Sequence, residues 1–210
     1  MTRASRSRQW RQTQAADAFA KRARAAGYRS RAAYKLMDID DRDRLLRKGT
    51  RVLDLGAAPG GWSQVAAERT AAGEAPKRPV VAIDRLAMVP IPGVVAIEAD
   101  LYSDEAPGAI EAALERQRAG LVLCDMAPNI TGVKVADQAA AAGLWALALD
   151  VAGAHLAPGG DLLIKVFEGA ELAAFRHDLE LRFAQVYRRK PTASRSQSSE
   201  HYLLARRFEG

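Results

Sequence analysis

A chain of 210 residues, about half of them hydrophobic, is long enough for one α/β domain with a full core and short for two. Its single cysteine, Cys124, excludes a disulfide framework or a cysteine-based zinc site within the chain. The net charge of +6 is uneven: residues 1–35 carry ten Lys or Arg against one acid, Asp17, which makes +9 and leaves −3 for the remainder.

The basicity is therefore an N-terminal feature. Residues 1–25 read as a basic arm outside a domain spanning 26–210. Such an arm suits a phosphate backbone, because each neutralised phosphate releases counterions. The plain alternative is a solvated tail, and a cleavable presequence is a third. The N-terminus lacks the apolar core of a signal peptide, so a cytoplasmic protein is expected. The Ala-rich run from Ala139 to Ala157 is interrupted by Asp150 and His155, and reads as a buried helix rather than a membrane span. No membrane partner and a monomer are expected.

From Thr50 onward, short apolar runs alternate with helix-like stretches. Strands are predicted at Thr50–Leu55, Pro79–Asp84, Val94–Asp100, Gly120–Asp125 and Asp161–Phe167. Helices are predicted at Trp62–Thr70, Asp104–Arg118, Ala136–Leu156 and Ala170–Arg182. Alternation of this kind argues for a mostly parallel sheet covered on both faces. Two final strands, Ala184–Lys190 and His201–Arg207, are joined by a short polar run, too short for a helical crossover, so they should pair antiparallel. An α/β, doubly wound, mostly parallel sheet with an antiparallel C-terminal strand is the pattern of the Rossmann-like class I methyltransferase fold.

In such sheets ligands bind outside the carboxyl ends of the strands. The first strand runs into Gly56-Ala57-Ala58-Pro59-Gly60-Gly61. A dinucleotide fingerprint needs glycine at position 58, where this chain has alanine. The loop instead suits a nucleoside ligand without a pyrophosphate, such as S-adenosylmethionine. Acids stand at three successive strand ends: Asp54, Asp84 and Asp100. Asp84 is placed to accept ribose hydroxyls, and Asp100 to accept from an adenine amino group. One such acid alone is more often a helix cap. Trp62 is placed either to wall the pocket or to pack helix on sheet.

Lys165, inside Leu162-Leu163-Ile164-Lys165-Val166-Phe167, is the strongest single clue. A central parallel strand buries both faces, and an unpaired buried ammonium is very costly. The plain alternative puts it at the strand's wet end. Asp125 ends the neighbouring strand, Glu200 opens the last one, and Lys35 follows Arg29-Ser30-Arg31. With these residues in view, the sequence resembles the bacterial FtsJ (RlmE, RrmJ) family of 23S rRNA uridine 2′-O-ribose methyltransferases. The resemblance is carried by Asp54–Gln64, Asp125-Met126-Ala127-Pro128-Asn129, Leu156–Gly160, Lys165-Val166-Phe167 and Arg189-Lys190-Pro191, and covers the chain from about Gly27 to Ala205.

The resemblance implies a catalytic tetrad of Lys35, Asp125, Lys165 and Glu200. It implies Gly60, Trp62, Asp84, Asp100 and Asp125 as contacts to S-adenosyl-L-methionine, with S-adenosyl-L-homocysteine as product. It also implies a substrate uridine in the large ribosomal subunit. A ribose hydroxyl must be aligned with the S–CH₃ bond and its proton taken or polarised. Lysine serves as base only when its pKa is depressed, so Lys165 stands as base or as steering donor. Two rivals remain: an RNA base methyltransferase and a catalytically idle ribosome-assembly RNA-binding protein. Against the first, no aromatic follows Asp125, and Cys124 points opposite to Asp125 on its strand. His155, His177 and His201 show no metal-ligand spacing, so no metal is expected. Arg188, Arg189, Lys190 and Arg195 are candidates for a phosphate track together with the arm, the plain alternative being surface charge.

Overall fold

In a computed structural model, residues 18–71, 80–129, 131–194 and 198–210 are described. Trp10, Arg195 and most of the basic arm lie outside them. A short helix, α1 (residues 18–25), leads into α2 (Ala33–Asp43). The sequence reading had no α2; its polar surface and lack of a side-chain cap hide a helix whose apolar side is Leu36 and Ile39.

The strands form because β-branched and leucine residues run almost without interruption. All four residues of β1 (Val52–Leu55) are buried, as are Val80 to Ile83 of β2 (Val80–Asp84). Burial on both faces is the mark of a parallel sheet flanked by helices. β3 (Val94–Glu98) lies at the edge and is more exposed. β4 (Ala119–Cys124), β5 (Leu156–Phe167), β6 (Phe183–Arg189) and β7 (Glu200–Phe208) complete a seven-stranded sheet of order β3-β2-β1-β4-β5-β7-β6. The pairs from β3 to β5 are parallel, and β7 runs antiparallel to both neighbours. This is the Rossmann-like methyltransferase arrangement that the sequence predicts.

Side-chain alternation divides the core. Leu53, Val122, Ile164 and Val166 face α5 (Lys134–His155) and α6 (Leu172–Glu180), where Trp145 and Phe175 pack 5.4 Å apart. Val52, Leu123, Leu163 and Tyr202 face α2 and α3 (Gly61–Thr70). By the same alternation Asp54 and Lys165 belong to the α2/α3 face. Cys124 is buried in the opposite core.

Some boundaries move. β3 stops at Glu98 and β4 at Cys124, so Asp100 and Asp125 sit just past their strands, in the loops. The helix expected from Asp104 to Arg118 is only α4 (Ala106–Ala113); Glu115 and Arg116 turn left-handed behind it. β5 begins five residues early and absorbs Pro158-Gly159-Gly160 as an irregularity, where the register jumps from Ala119↔Leu156 to Leu121↔Asp161. The Ala-rich helix α5 is not buried all round: one stripe through Ala141, Trp145, Ala148 and Ala152 meets the core, and residues 139–140 on the far side are exposed.

Candidate active site

Lys165 is 7% exposed and Lys35 is 6% exposed. Two buried ammonium groups require partners, and the fold supplies them from separate elements. Lys35 Nζ donates to Glu200 Oε1 at 2.6 Å. Lys165 Nζ lies 3.2 Å from Asp125 Oδ1 and also donates to the Asp125 backbone carbonyl. Tyr202 connects the two pairs. It is the register partner of Lys165, its hydroxyl donates to Asp125 Oδ1 at 2.7 Å, and its ring lies 5.9 Å from Lys35 Nζ. Lys35, Asp125, Lys165 and Glu200 thus converge, although 165 residues separate the first from the last.

The convergence depends on holding α2 against the C-terminal hairpin. Asp43, at the end of α2, accepts two bonds from Arg189, at 2.6 and 2.7 Å. Asp38 accepts from the Thr192 backbone N–H at 2.6 Å. Lys190 donates to the backbone oxygens of Ser198 and Glu200 and so braces the loop that carries the glutamate. Arg188 pairs with Glu168. The basic run 188–190 therefore helps tie the hairpin together, while Arg188 and Lys190 stay exposed at the surface.

Glu200 is shaped by opposing effects. Burial works to raise its pKa, but the hydrogen bond and charge of Lys35, the Ser194 hydroxyl at 3.0 Å and the charge of Lys165 hold it below the ordinary carboxylate range. Tyr202 is pushed well above the usual phenol value, first by burial and then by the charges of Asp125 and Glu200. It therefore stays protonated and keeps donating to Asp125. The Cys124 thiol is pushed up to about 12, mainly by burial, and is no nucleophile.

Asp54 behaves differently. It is 1% exposed and accepts from Ser63 Oγ at 2.6 Å. Burial, aided by the charges of Asp125 and Asp84 and opposed by Ser63, raises its pKa to about 7. Because the folded value lies above the unfolded one of about 3.9, the folded state binds this proton more tightly. The Asp54 contribution to stability is thus full below pH 4 and is lost as the pH rises through 7. Asp54→Asn should flatten that decline. Thermal unfolding of both proteins from pH 5 to 8 checks it, and parallel curves would refute it.

The glycine loop joins two open spaces. A cleft of about 620 Å³ is bounded by Asp84, Asp100, Asp125, Met126 and Leu144. A hollow of about 280 Å³ is bounded by Lys35, Asp54, Trp62 and Asp125. Gly56, Ala58 and Asp125 line both. In the cleft, Asp84 accepts the N–H of Ala58 at 2.9 Å and of Leu86 at 2.8 Å. Asp100 accepts the N–H of Tyr102 at 2.9 Å. These bonds fix both carboxylates while each keeps lone pairs for a ligand. The volume and the mix of acceptors with an apolar wall suit a nucleoside-sized molecule.

The residues named from sequence do not all fall in one place. Asp84, Asp100 and Asp125 line the cleft. Trp62 lines the hollow, packs 5.6 Å from the Tyr202 ring and donates to Ala32 O at 2.8 Å, so it both walls and packs. Gly60 lines neither space. Its φ of +106° opens α3, and a Cβ there would meet Ile91 Cδ1 at 2.7 Å. Tyr202, which bridges the two pairs, was missed: a tyrosine in an apolar strand gives no signal until its neighbours are known. Among the described residues, no group of His, Cys, Asp and Glu could hold a metal.

Residues 28–208 match the FtsJ-like methyltransferase family. The chain belongs to this family. The methyltransferase is 56% identical over 190 residues to the ribosomal RNA large subunit methyltransferase E of Halorhodospira halophila, covering 90% of this chain and 88% of that one. It is 51% identical to the protein of the same name from Alkalilimnicola ehrlichii, covering 96% and 95%. A solved ribosomal RNA methyltransferase of Plasmodium falciparum superposes with a TM-score of 0.76 at 29% identity, over 87% of this chain and all of that one. The fibrillarin pre-rRNA processing protein of Methanococcus jannaschii shares the fold, with a TM-score of 0.53 at 12% identity over 79% of this chain and 70% of that one. In the methyltransferase, Asp125 lies where cleft and hollow meet and Lys35 lines the hollow, with Lys165 and Glu200 paired behind them.

Proposed function

We propose that this methyltransferase moves the methyl group of S-adenosylmethionine to the 2′-hydroxyl of a uridine in 23S rRNA, on the large ribosomal subunit. The observation that carries the reading is the pairing of Lys165 with Asp125 and Lys35 with Glu200 around Tyr202, with Asp125 lining both the nucleoside-sized cleft and the hollow. The names of the curated relatives support large-subunit rRNA as substrate. The choice of uridine rests on the family resemblance, and a cytoplasmic monomer without a membrane partner completes the proposal.

When bound, S-adenosylmethionine supplies a methyl group already activated by its sulfonium. The protein then has to hold, align and dispose of a proton. Asp84 receives ribose hydroxyls on the lone pairs left by Ala58 and Leu86. Asp100 receives the adenine amino group, and Met126 and Leu144 cover the base. Lys165, held on the carboxylate and carbonyl of Asp125, keeps one position on Nζ for the substrate hydroxyl. Asp125 and Tyr202 orient that amine, and Glu200 holds Lys35 beside it. Such positioning supplies several kcal/mol of the barrier.

The test is the product. Large subunits lacking the modification, incubated with the enzyme and labelled S-adenosylmethionine, should yield 2′-O-methyluridine on nucleoside mass spectrometry. A methyl group on the base would make the protein a base methyltransferase. Bound label without transfer would make it an assembly factor.

A further inference from the structure

Arg29 has no place in the reaction described above, yet its side chain is packed directly on the glycine loop. The guanidinium donates from Nη1 to the carbonyls of Val89 at 2.6 Å and Pro59 at 3.2 Å, and from Nη2 to that of Pro90 at 2.8 Å. Pro59 belongs to the loop after β1, whereas Val89 and Pro90 belong to the loop between β2 and β3. One side chain thus ties two loops together. A planar guanidinium has five donors in a fixed fork and can serve several carbonyls at once; a compact ammonium has no such fork.

Both loops bound the cleft. Ala58 lines it from the first loop, next to Pro59, and Arg85 and Leu86 line it from the start of the second, just after Asp84. On the cleft side, the Asp84 carboxylate accepts the Ala58 N–H. On the far side, Arg29 joins the same two loops. The sequence leaves room for this second clasp. A Cβ on Gly60 would lie 3.2 Å from Arg29 Nη1, and one on Gly61 would lie 2.4 Å from Ser30 Oγ. The backbone beneath the side chain is held separately. The Arg29 N–H donates to Gln64 Oε1 at 2.8 Å, and Gln64 Nε2 donates to the Gly27 carbonyl at 3.0 Å. The seat of this segment on α3 therefore does not depend on the guanidinium.

We propose that Arg29 is a positioning residue for the cofactor: by clasping the glycine loop to the loop between β2 and β3, it sets the shape of the cleft that receives the nucleoside of S-adenosylmethionine. The proposal rests on the reading of that cleft as the cofactor site. Arg29 lines neither the cleft nor the hollow; it acts through Ala58 and Asp84. Both of its terminal nitrogens are engaged by carbonyls, which sets it apart from an arginine aimed at an RNA phosphate.

The experiment uses the full chain, with isothermal titration of S-adenosylmethionine in the absence of RNA and steady-state kinetics on large subunits. Arg29→Met keeps much of the aliphatic stem and should raise the cofactor Kd at least about tenfold, the size of one lost hydrogen bond to a charged group. Arg29→Lys should recover only part of that loss, because charge without the fork cannot hold both loops. At saturating cofactor, kcat and the KM for subunits should stay within about threefold of wild type, since Gln64 still seats the segment and Glu200 still holds Lys35. Unchanged cofactor affinity with a raised KM for subunits would make Arg29 an RNA contact and overturn the clasp. So would a fall in kcat as large as the loss of affinity, or an Arg29→Lys enzyme equal to wild type. A wild-type enzyme that binds no S-adenosylmethionine would instead overturn the reading of the cleft itself.

Discussion

Lys165→Ala should abolish methyl transfer while leaving the cofactor bound. The side chain is 8% exposed and its ammonium is held on both oxygen types of Asp125. Losing a positioned proton-transfer or steering group lowers kcat by about 10²–10⁴-fold. Here the upper end is expected, because among the described residues the other nearby cation, Lys35, is already engaged by Glu200. Binding of S-adenosylmethionine should change by less than about threefold, well under 1.4 kcal/mol, since Lys165 lines neither cleft nor hollow. Asp125 is 19% exposed and keeps the Tyr202 hydroxyl, so the fold should survive. Lys165→Met, which restores the aliphatic stem, should be equally inactive. Isothermal titration with single-turnover kinetics reads both quantities. Turnover within tenfold of wild type in either variant would remove Lys165 from the chemistry.

Gly56→Ala should damage stability and cofactor binding together. The residue has φ of +67°, where a side chain costs roughly 1–2 kcal/mol. The added Cβ would also lie 2.2 Å from Met126 Cγ and 3.4 Å from its Cβ, too close for a terminal rotation to relieve. Met126 lines the cleft, so moving it pushes a thioether into the ligand space. Overpacking adds about 1–3 kcal/mol. A lower Tm by roughly 4–20 °C follows for a chain of this size, with cofactor affinity down at least about tenfold. Gly49→Ala is the internal control: φ is +77° there and nothing lies within 4 Å of the added atom. Equal effects at both positions would show that backbone strain alone, and not the Met126 contact, explains the loss.

Much of this was legible before any coordinates. The alternation of apolar runs with helical stretches identifies the sheet, because burial on two faces leaves a strand no room for polar residues. Lys165 was conspicuous for the same reason: it breaks such a run, and a broken run needs an explanation. The turn geometry at Gly56 was legible too, since glycine two residues after Asp54 marks a close approach. Strand ends were less so. Asp100 and Asp125 were assigned to strands that stop short of them, because pairing registers decide where a strand ends and no local pattern encodes register. The helix carrying Lys35 was missed, since its apolar side is little more than Leu36 and Ile39 and becomes a helix face once β1 and α3 offer something to cover.

The run Arg188-Arg189-Lys190 shows what the sequence leaves out. Three adjacent cations read as a phosphate surface or as plain surface charge, and only the fold shows that Asp43, Glu168 and the Glu200 backbone carbonyl are their partners. Charge content is a property of the sequence; the partner of each charge is a property of the fold. Tyr202 makes the same point for a polar tip in an apolar strand.

The sequence by itself determined the sheet, the glycine loop and the presence of two lysines and two acids that had no reason to be buried. Their meeting was decided only in three dimensions. Lys165 reaches Asp125 because β4 and β5 are neighbours, and it stands opposite Tyr202 because β7 pairs with β5 in one register. Lys35 reaches Glu200 because Asp43 and Asp38 pin α2 to the hairpin. Long-range pairing of this kind follows from packing every element at once, and the physical cost of leaving a buried ammonium alone is what makes the arrangement unique.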